Sequence, residues 1–154
     1  MAAAGAIILF SKNKDDLRIN DLVGATIKMA ILTSSYTPNS SETGHSIFSE
    51  VSGNEVSTTT TGYTAGGAAC GSPTATAITN GFKFSTASPQ WTAGASNFPV
   101  WRYGVLYVVG SLWGMTNPLI GYFLGDSTPA DVPVTTSGNT LTINCPAAGW
   151  FDLV

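Results

Sequence analysis

Short apolar runs, not helical periodicity, dominate the hydrophobic pattern of this chain. They recur roughly every ten to twenty residues and are bounded by Gly, Pro, Asn and Ser, a spacing typical of an all-β sandwich or barrel. The predicted strands span residues 5–10, 27–33, 75–85, 100–109, 119–124, 140–145 and 150–154. Seven such strands favour an antiparallel β-sandwich, jelly-roll or Ig-like, with long Ser/Thr/Gly-rich loops.

The fourth predicted strand is apolar on both faces. Its two-residue period places Leu106 and Val108 on one face and Val105 and Tyr107 on the other. A strand of this kind belongs in the middle of a sheet covered on both sides, by the second sheet and by a further layer such as a neighbouring subunit. Arg102 interrupts one face, and we expect it to be paired or to reach solvent at the rim.

The same alternation predicts which side chains form the core. The predicted core residues are Ile31, Phe84, Val105, Tyr107, Ile120, Tyr122, Ile143 and Phe151. All of them lie in the apolar strand runs at positions consistent with a two-residue alternation.

The length of the chain predicts one domain over residues 1–154, with an N-terminal arm or edge strand at 1–12. The apolar start ends at Phe10, too early to span a bilayer, and a signal peptide is the alternative to an arm. Residues 34–71 are dominated by Ser, Thr and Gly, so we expect long connections there, with one short strand near 54–60. A single helical turn is expected near 15–21.

Charged residues are few, and this low number bears on what the surface contacts. The chain has six basic and nine acidic residues among 154, with 20 Thr and 16 Ser supplying most of the polarity. Soluble domains average about 25% charged residues, whereas 10% of this chain is charged. So low a proportion is typical of a protein whose surface is largely covered by other proteins in an assembly. The scattered basic residues and the net charge of -3 predict no nucleic-acid partner. No membrane partner is expected.

The polar residues predict no catalytic group, no cofactor and no metal site. His45 is the one candidate general base, and we expect it to be exposed in a polar loop without a nucleophile elbow. The acidic residues are expected to be solvated, although Glu50 and Glu55 flank a Gly-containing turn that suggests a cation site lacking the calcium-loop spacing. Cys70 and Cys145 are interpreted as reduced thiols, and the sequence leaves open whether they are bridged.

The order of short motifs resembles a family of small structural proteins of tailed bacteriophages. The segments that carry the resemblance are IKMAILTSSYTP at 27–38, NEV at 54–56, GYTAGG at 62–67, KF at 83–84, PQW at 89–91, RYGVLY at 102–107, PLIGY at 118–122 and GWF at 149–151. Together they cover most of the chain. The chain departs from this pattern at 108–114, VVGSLWG, where a hydrophobic excursion replaces a polar turn.

The resemblance implies a non-enzymatic virion protein, assembled in the host cytoplasm, that decorates or cements the capsid. Its implied partners are the major capsid protein and other copies of the chain in a homotrimer. The Ser, Thr and Gly composition of residues 34–71 predicts that these loops make much of the capsid contact. A tail- or neck-associated virion protein is one alternative. A carbohydrate-binding β-sandwich module is the other, in which surface aromatics stack on a glycan. The tryptophans available for such stacking are Trp91, Trp101, Trp113 and Trp150.

Apolar residues of the first predicted strand and of the excursion at 108–114 are the candidate interface residues. They are Ile7, Ile8, Phe10, Leu112 and Trp113. Obligate interfaces are enriched in such residues and depleted in charge, so we expect these side chains to be buried between copies of the chain.

Overall fold

The chain folds mainly into antiparallel β-strands, as a computed structural model of residues 4–154 shows. Strands make up 36% and helix 9% of the structure. The strands are β1 (Ile8–Leu9), β2 (Thr26–Leu32), β3 (Ala68–Ala69), β4 (Thr74–Ile78), β5 (Gly81–Ser85), β6 (Gln90–Thr92), β7 (Tyr103–Val109), β8 (Ser111–Leu112), β9 (Met115–Thr116), β10 (Leu119–Leu124), β11 (Thr140–Thr142) and β12 (Phe151–Leu153). The helical elements are α1 (Ile19–Val23) and the 3₁₀ turns Ser11–Asn13, Phe48–Glu50 and Ser52–Asn54.

Four antiparallel sheets are formed by these strands. The largest has the order β1-β10-β7-β2-β3, so the apolar strand β7 lies at its centre as predicted. A second sheet has the order β12-β5-β4, and the pairs β11-β6 and β8-β9 complete the set. The all-β prediction is therefore confirmed.

The two faces of β7 are buried by different hydrophobic clusters. The main cluster consists of Ile19, Leu22, Ile27, Met29, Ile31, Val56, Tyr63, Cys70, Phe84, Trp91, Ala93, Phe98, Trp101, Leu106, Val108, Ile120, Phe123, Val132, Trp150 and Phe151. The second cluster consists of Phe10, Ala30, Leu32, Tyr36, Phe48, Val51, Val105, Tyr107 and Leu119. Alternation along β7 explains the division, because neighbouring strand residues point to opposite faces.

The further layer over β7 comes from the same chain and not from a neighbouring subunit. The Phe48 ring stacks on the Tyr107 ring with centroids 4.0 Å apart and 3° between planes. Tyr36 and Val51 are buried beside them. Residues 34–71 thus supply their own apolar anchors, which lie far apart along a Ser- and Thr-rich segment and are therefore weak as a sequence signal.

Several predicted elements need correction. Residues 75–85 form two strands, because Asn80 adopts φ +62° and reverses the chain between β4 and β5; asparagine tolerates this left-handed conformation. Near 54–60 there is only an isolated bridge from Glu55 to Leu32. The expected helical turn is present as α1. The expected edge strand at 1–12 is confined to β1 within the described part, and residues 1–3 lie outside it.

The predicted core is largely confirmed. Six of its eight residues are buried, namely Ile31, Phe84, Val105, Tyr107, Ile120 and Phe151. Tyr122 is only partly buried against the second cluster, and Ile143 only partly against the main cluster. Ile143 follows the end of β11, where the strand alternation no longer holds its side chain inside.

Candidate interaction surface

The N-terminal candidates divide between surface and core. Ile8 pairs with Tyr122 in the edge strand β1 and is 45% exposed, whereas Ile7 is half-buried. Phe10 is buried in the second cluster, 5.6 Å from the Tyr122 ring between centroids. Phe10 is therefore a core residue of the single chain, because strand β1 ends before it and the chain turns inward there.

The hydrophobic excursion at 108–114 forms the β8–β9 hairpin. Trp113 and Gly114 at its tip have φ of +54° and +73°, as the turn of a two-residue hairpin requires. The Trp113 indole Nε1 donates a hydrogen bond to Asp21 Oδ2 at 3.0 Å. Leu112 and Trp113 are partly buried against the main cluster. The hairpin is thus attached to α1 of its own chain, and a substitution of Trp113 disturbs the single chain whether or not it also forms an interface.

A partly buried hydrogen-bond network joins several of the motifs quoted above. The Tyr63 hydroxyl donates to the Glu55 carboxylate and accepts a hydrogen bond from the Ile31 N–H at 3.2 Å. The Gly66 N–H donates to Glu55 Oε1 at 2.7 Å, and the Tyr107 hydroxyl donates to the Gly66 carbonyl at 2.6 Å. These residues fasten the loop at 55–67 to β2 and β7. These contacts give the motifs a structural role.

Glu50 and Glu55 do not form the suggested cation site. Glu50 Oε2 accepts hydrogen bonds from the backbone N–H groups of Ser46 at 2.6 Å and Ile47 at 3.0 Å. Burial acts to raise the pKa of Glu50, but these two donors outweigh it and hold the pKa below the ordinary value. Within residues 4–154, no group of three or more His, Cys, Asp or Glu side chains is placed to hold a metal ion.

Two other titratable residues lie deeper than expected. His45 is half-buried and not exposed, because its ring packs on Tyr36 with Nδ1 3.1 Å from the Tyr36 hydroxyl. Asp126 is buried and accepts hydrogen bonds from the Thr128 N–H and hydroxyl at 3.0 and 2.6 Å. Through these contacts both side chains support local structure. Arg102 is paired as expected, with Nε 2.9 Å from Asp131 Oδ1.

The cysteines are both free. Cys70 is buried in the main cluster, and Cys145 is half-buried. Burial raises the pKa of the Cys70 thiol to about 12, so this thiol remains protonated and unreactive near neutral pH.

The tryptophans do not form an exposed aromatic platform. Trp91, Trp101 and Trp150 are all buried in the main cluster, and Trp113 is half-buried in the hairpin. Partly exposed aromatic rings occur instead at Tyr103 and Tyr122, which pack edge-on at 6.2 Å between centroids.

The sheet β12-β5-β4 carries surface features that the hydrophobic pattern does not predict. Strand β4 is an edge strand, and its residues from Thr74 to Ala77 are all exposed. Beside it lies an apolar trough of about 420 Å³, which we call the edge trough. Its lining residues are Arg18, Ile19, Asn20, Ala75, Phe82 and Leu153. The Asn80-Gly81 pair is a hairpin signal in the sequence, although the two turn residues between β4 and β5 are Thr79 and Asn80.

Comparison with known proteins adds no assignment, because no protein-family model, curated protein or solved structure matches this chain. The longest helix in the described part, α1, has five residues, and no helix there is long and apolar enough to cross a membrane.

Proposed function

We propose that this chain is a non-enzymatic structural protein of a tailed-phage virion, a decoration or cement protein that binds and stabilises the assembled capsid. Its proposed place is the virion, after assembly in the host cytoplasm. The proposed partners are the major capsid protein and further copies of the chain, without nucleic acid, membrane or cofactor.

The observation that carries the proposal is the chemistry of the surface. Arg102–Asp131 is the one ion pair among residues 4–154, and large apolar side chains are exposed around the molecule. Those side chains are Ile8, Val23, Phe82, Val100, Val109, Val134 and Val154. A surface that combines sparse charge, hydroxyls and dispersed apolar groups suits lasting contact with other proteins, because the buried parts of such interfaces are depleted in charge.

We also propose that the two larger sheets stack as a β-sandwich. Phe84 and Phe151, from the sheet β12-β5-β4, share the main cluster with Leu106 and Val108 of β7. Side chains from two sheets that interdigitate in one cluster are the arrangement expected of stacked sheets. Two stacked sheets give a rigid core, with the loops at the ends of the strands.

Residues 34–71 are proposed to make much of the contact with the capsid. Buried Tyr36, Phe48 and Tyr63 hold this segment in place, and most of its Ser and Thr side chains are left exposed. The contact surface is therefore largely preformed, and binding does not carry the full entropic cost of ordering a disordered loop.

The test is to add the purified protein to shells that lack it and to isolated tails, and to measure bound copies and the temperature at which shells break. We expect saturable binding to shells and a higher breakage temperature. Binding to tails alone would move the protein to the tail or neck. Binding to neither, together with retention on a glycan column, would contradict the proposal and favour the carbohydrate-binding alternative.

A further inference from the structure

We propose that β4 is a self-association edge, through which two copies of the chain pair their β4 strands antiparallel about a two-fold axis at Thr76. The inference goes beyond capsid binding, because it concerns contact between copies and stands without a shell. It also differs from the expected homotrimer, since a two-fold contact joins copies in pairs.

The first step is the direction of the backbone groups of β4. Ile78 and Gly81 are the closing pair of the two-residue β4–β5 turn, and such a pair exchanges hydrogen bonds in both directions. On the next strand, the Phe84 carbonyl accepts from the Trp150 N–H at 2.8 Å, so it points toward β12. Both observations leave the N–H and C=O groups of Ala75 and Ala77 pointing outward from the sheet, because backbone direction alternates along a strand.

The second step is that residues 74–78 themselves carry none of the usual protection against pairing, and Pro73 limits the pairing to this span. Natural edge strands are usually guarded by charged residues, proline, bulges or covering segments. Strand β4 reads TATAI, pairs with β5 in unbroken register, and is exposed from Thr74 to Ala77. Helix α1 lies beside the hairpin without covering these residues.

The third step is that the edge is complementary to itself. Antiparallel pairing about Thr76 sets Ala75 opposite Ala77 of the second copy, and Ala77 opposite its Ala75. The outward groups of these two residues then form four hydrogen bonds, and Thr76 faces Thr76 of the second copy as a non-hydrogen-bonded pair. Opposed threonines are favourable cross-strand neighbours, and no like charges meet. This match favours a second copy over a foreign strand.

The fourth step is that pairing covers apolar side chains on one face of the sheet β12-β5-β4. Ala77 is in register with Phe82, and Phe82 with Leu153, so these three form one row across the sheet. Phe82 is 51% exposed beside the edge trough. Pairing continues this row into the row that Ala75, Phe84 and Phe151 form in the second copy. The small alanines at the junction leave room for Phe82 to be covered from both sides.

The direct test is Thr76→Cys in a Cys145→Ser background. A non-hydrogen-bonded pair holds its Cα atoms about 4.5 Å apart, a separation that a disulfide bridges. We expect mild oxidation to convert the variant into a covalent dimer. The matched control is Thr142→Cys, an exposed threonine on β11, which should remain uncrosslinked. Equal crosslinking of the two variants would overturn the proposal.

A second variant tests the contact without a covalent crosslink. Thr76→Lys places two ammonium groups opposite each other across the axis, so sedimentation equilibrium should show the dimer weakened at least about tenfold. Thr142→Lys should leave it unchanged, and circular dichroism checks that both variants fold. A wild-type protein that is monomeric at about 100 µM, or an oligomer unaffected by Thr76→Lys, would overturn this inference. Shell binding by such a protein would leave the proposed function standing.

Discussion

At the residue scale, Tyr63 connects the loop at 55–67 to the centre of the main sheet. Its ring is buried and packs edge to face on the Phe98 ring, with 6.0 Å between centroids. Its hydroxyl donates to the Glu55 carboxylate and accepts from the Ile31 N–H. Burial and the Glu55 carboxylate raise the pKa of the Tyr63 hydroxyl above its ordinary value, so the hydroxyl keeps its proton and remains a donor.

Removing that hydroxyl should destabilise the fold. Tyr63→Phe keeps the ring but leaves Glu55 and the Ile31 N–H without this partner, so we expect the free energy of unfolding to fall by about 1–3 kcal/mol. Urea denaturation measures the change. The control is Tyr103→Phe, because Tyr103 is only partly buried and its hydroxyl forms no hydrogen bond to another of residues 4–154. Equal losses from both variants would contradict the role given to the network.

Alkaline pH should lower the free energy of unfolding, because several buried groups resist ionisation in the folded chain. Burial raises the pKa of Tyr107 from 10.0 to about 12 and that of Cys70 from 9.0 to about 12. Between the two values the folded chain holds more protons than the unfolded chain, so the free energy of unfolding falls as pH rises. Stability from these groups is complete below pH 9.0 and is lost as pH approaches about 12.

We therefore expect the urea midpoint to decrease between about pH 8 and pH 11. Tyr107→Phe should show a smaller decrease over the same range, although its midpoint is lower throughout because the hydrogen bond to the Gly66 carbonyl is lost. A midpoint that is constant with pH, or an identical decrease in the variant, would show that Tyr107 ionises freely.

At the element scale, the Gly-rich loop approaches β2 closely enough to exclude a side chain. Gly67 has φ +82°, and a Cβ there would lie 1.8 Å from the Met29 carbonyl oxygen. Glycine thus permits both the left-handed backbone and the close contact. The approach allows β3, the next element, to pair with β2.

Gly67→Ala should therefore be much more harmful than a matched substitution at another left-handed glycine. Gly110 has φ +101°, and a Cβ there would meet nothing within 4 Å. We expect Gly110→Ala to lower the free energy of unfolding by about 1–2 kcal/mol through backbone strain alone. Gly67→Ala should lower it by about 3–5 kcal/mol, since the neighbouring strand must also shift. Thermal or urea denaturation gives both values, and equal losses would refute the close approach.

The elements also show why the sequence predicted some features and not others. Strand β7 was predicted well because both faces carry large apolar residues whose burial overrides other influences. The interface prediction for Phe10 was wrong because apolarity marks burial but not what buries the side chain. The anchors Tyr36 and Phe48 depend on contacts with distant strands, which spacing along a Ser- and Thr-rich segment does not reveal. The open edge of β4 depends on the left-handed φ of Asn80, and the apolar residues on both sides of Asn80 make 75–85 read as one strand.

At the scale of the whole molecule, stability should not depend on bound metal. Hydrophobic clusters and backbone pairing hold the described residues together, and the candidate carboxylates Glu50 and Glu55 are occupied by hydrogen-bond donors. A chelator should therefore shift the melting temperature by less than about 1 °C. Differential scanning fluorimetry with and without EDTA measures this, using added calcium as the control. A shift of several degrees would indicate a site that involves other groups.

The surface of the whole molecule leads to the central claim, that this chain attaches to a phage shell through uncharged contacts. With one ion pair in the described part of the chain and 10% charged residues overall, hydroxyl and apolar groups dominate what a partner can touch. Contacts between charges are screened by salt, whereas apolar contacts are not.

The most direct test is the dissociation constant for shells that lack the protein, measured at about 50 and about 500 mM NaCl. We expect tight binding at both concentrations, with the constant changing by less than about threefold, since few counterions or charge pairs are involved. A loss of affinity of about a hundredfold at the higher concentration would show a charge-driven contact. That result, or no binding at either concentration, would contradict the account.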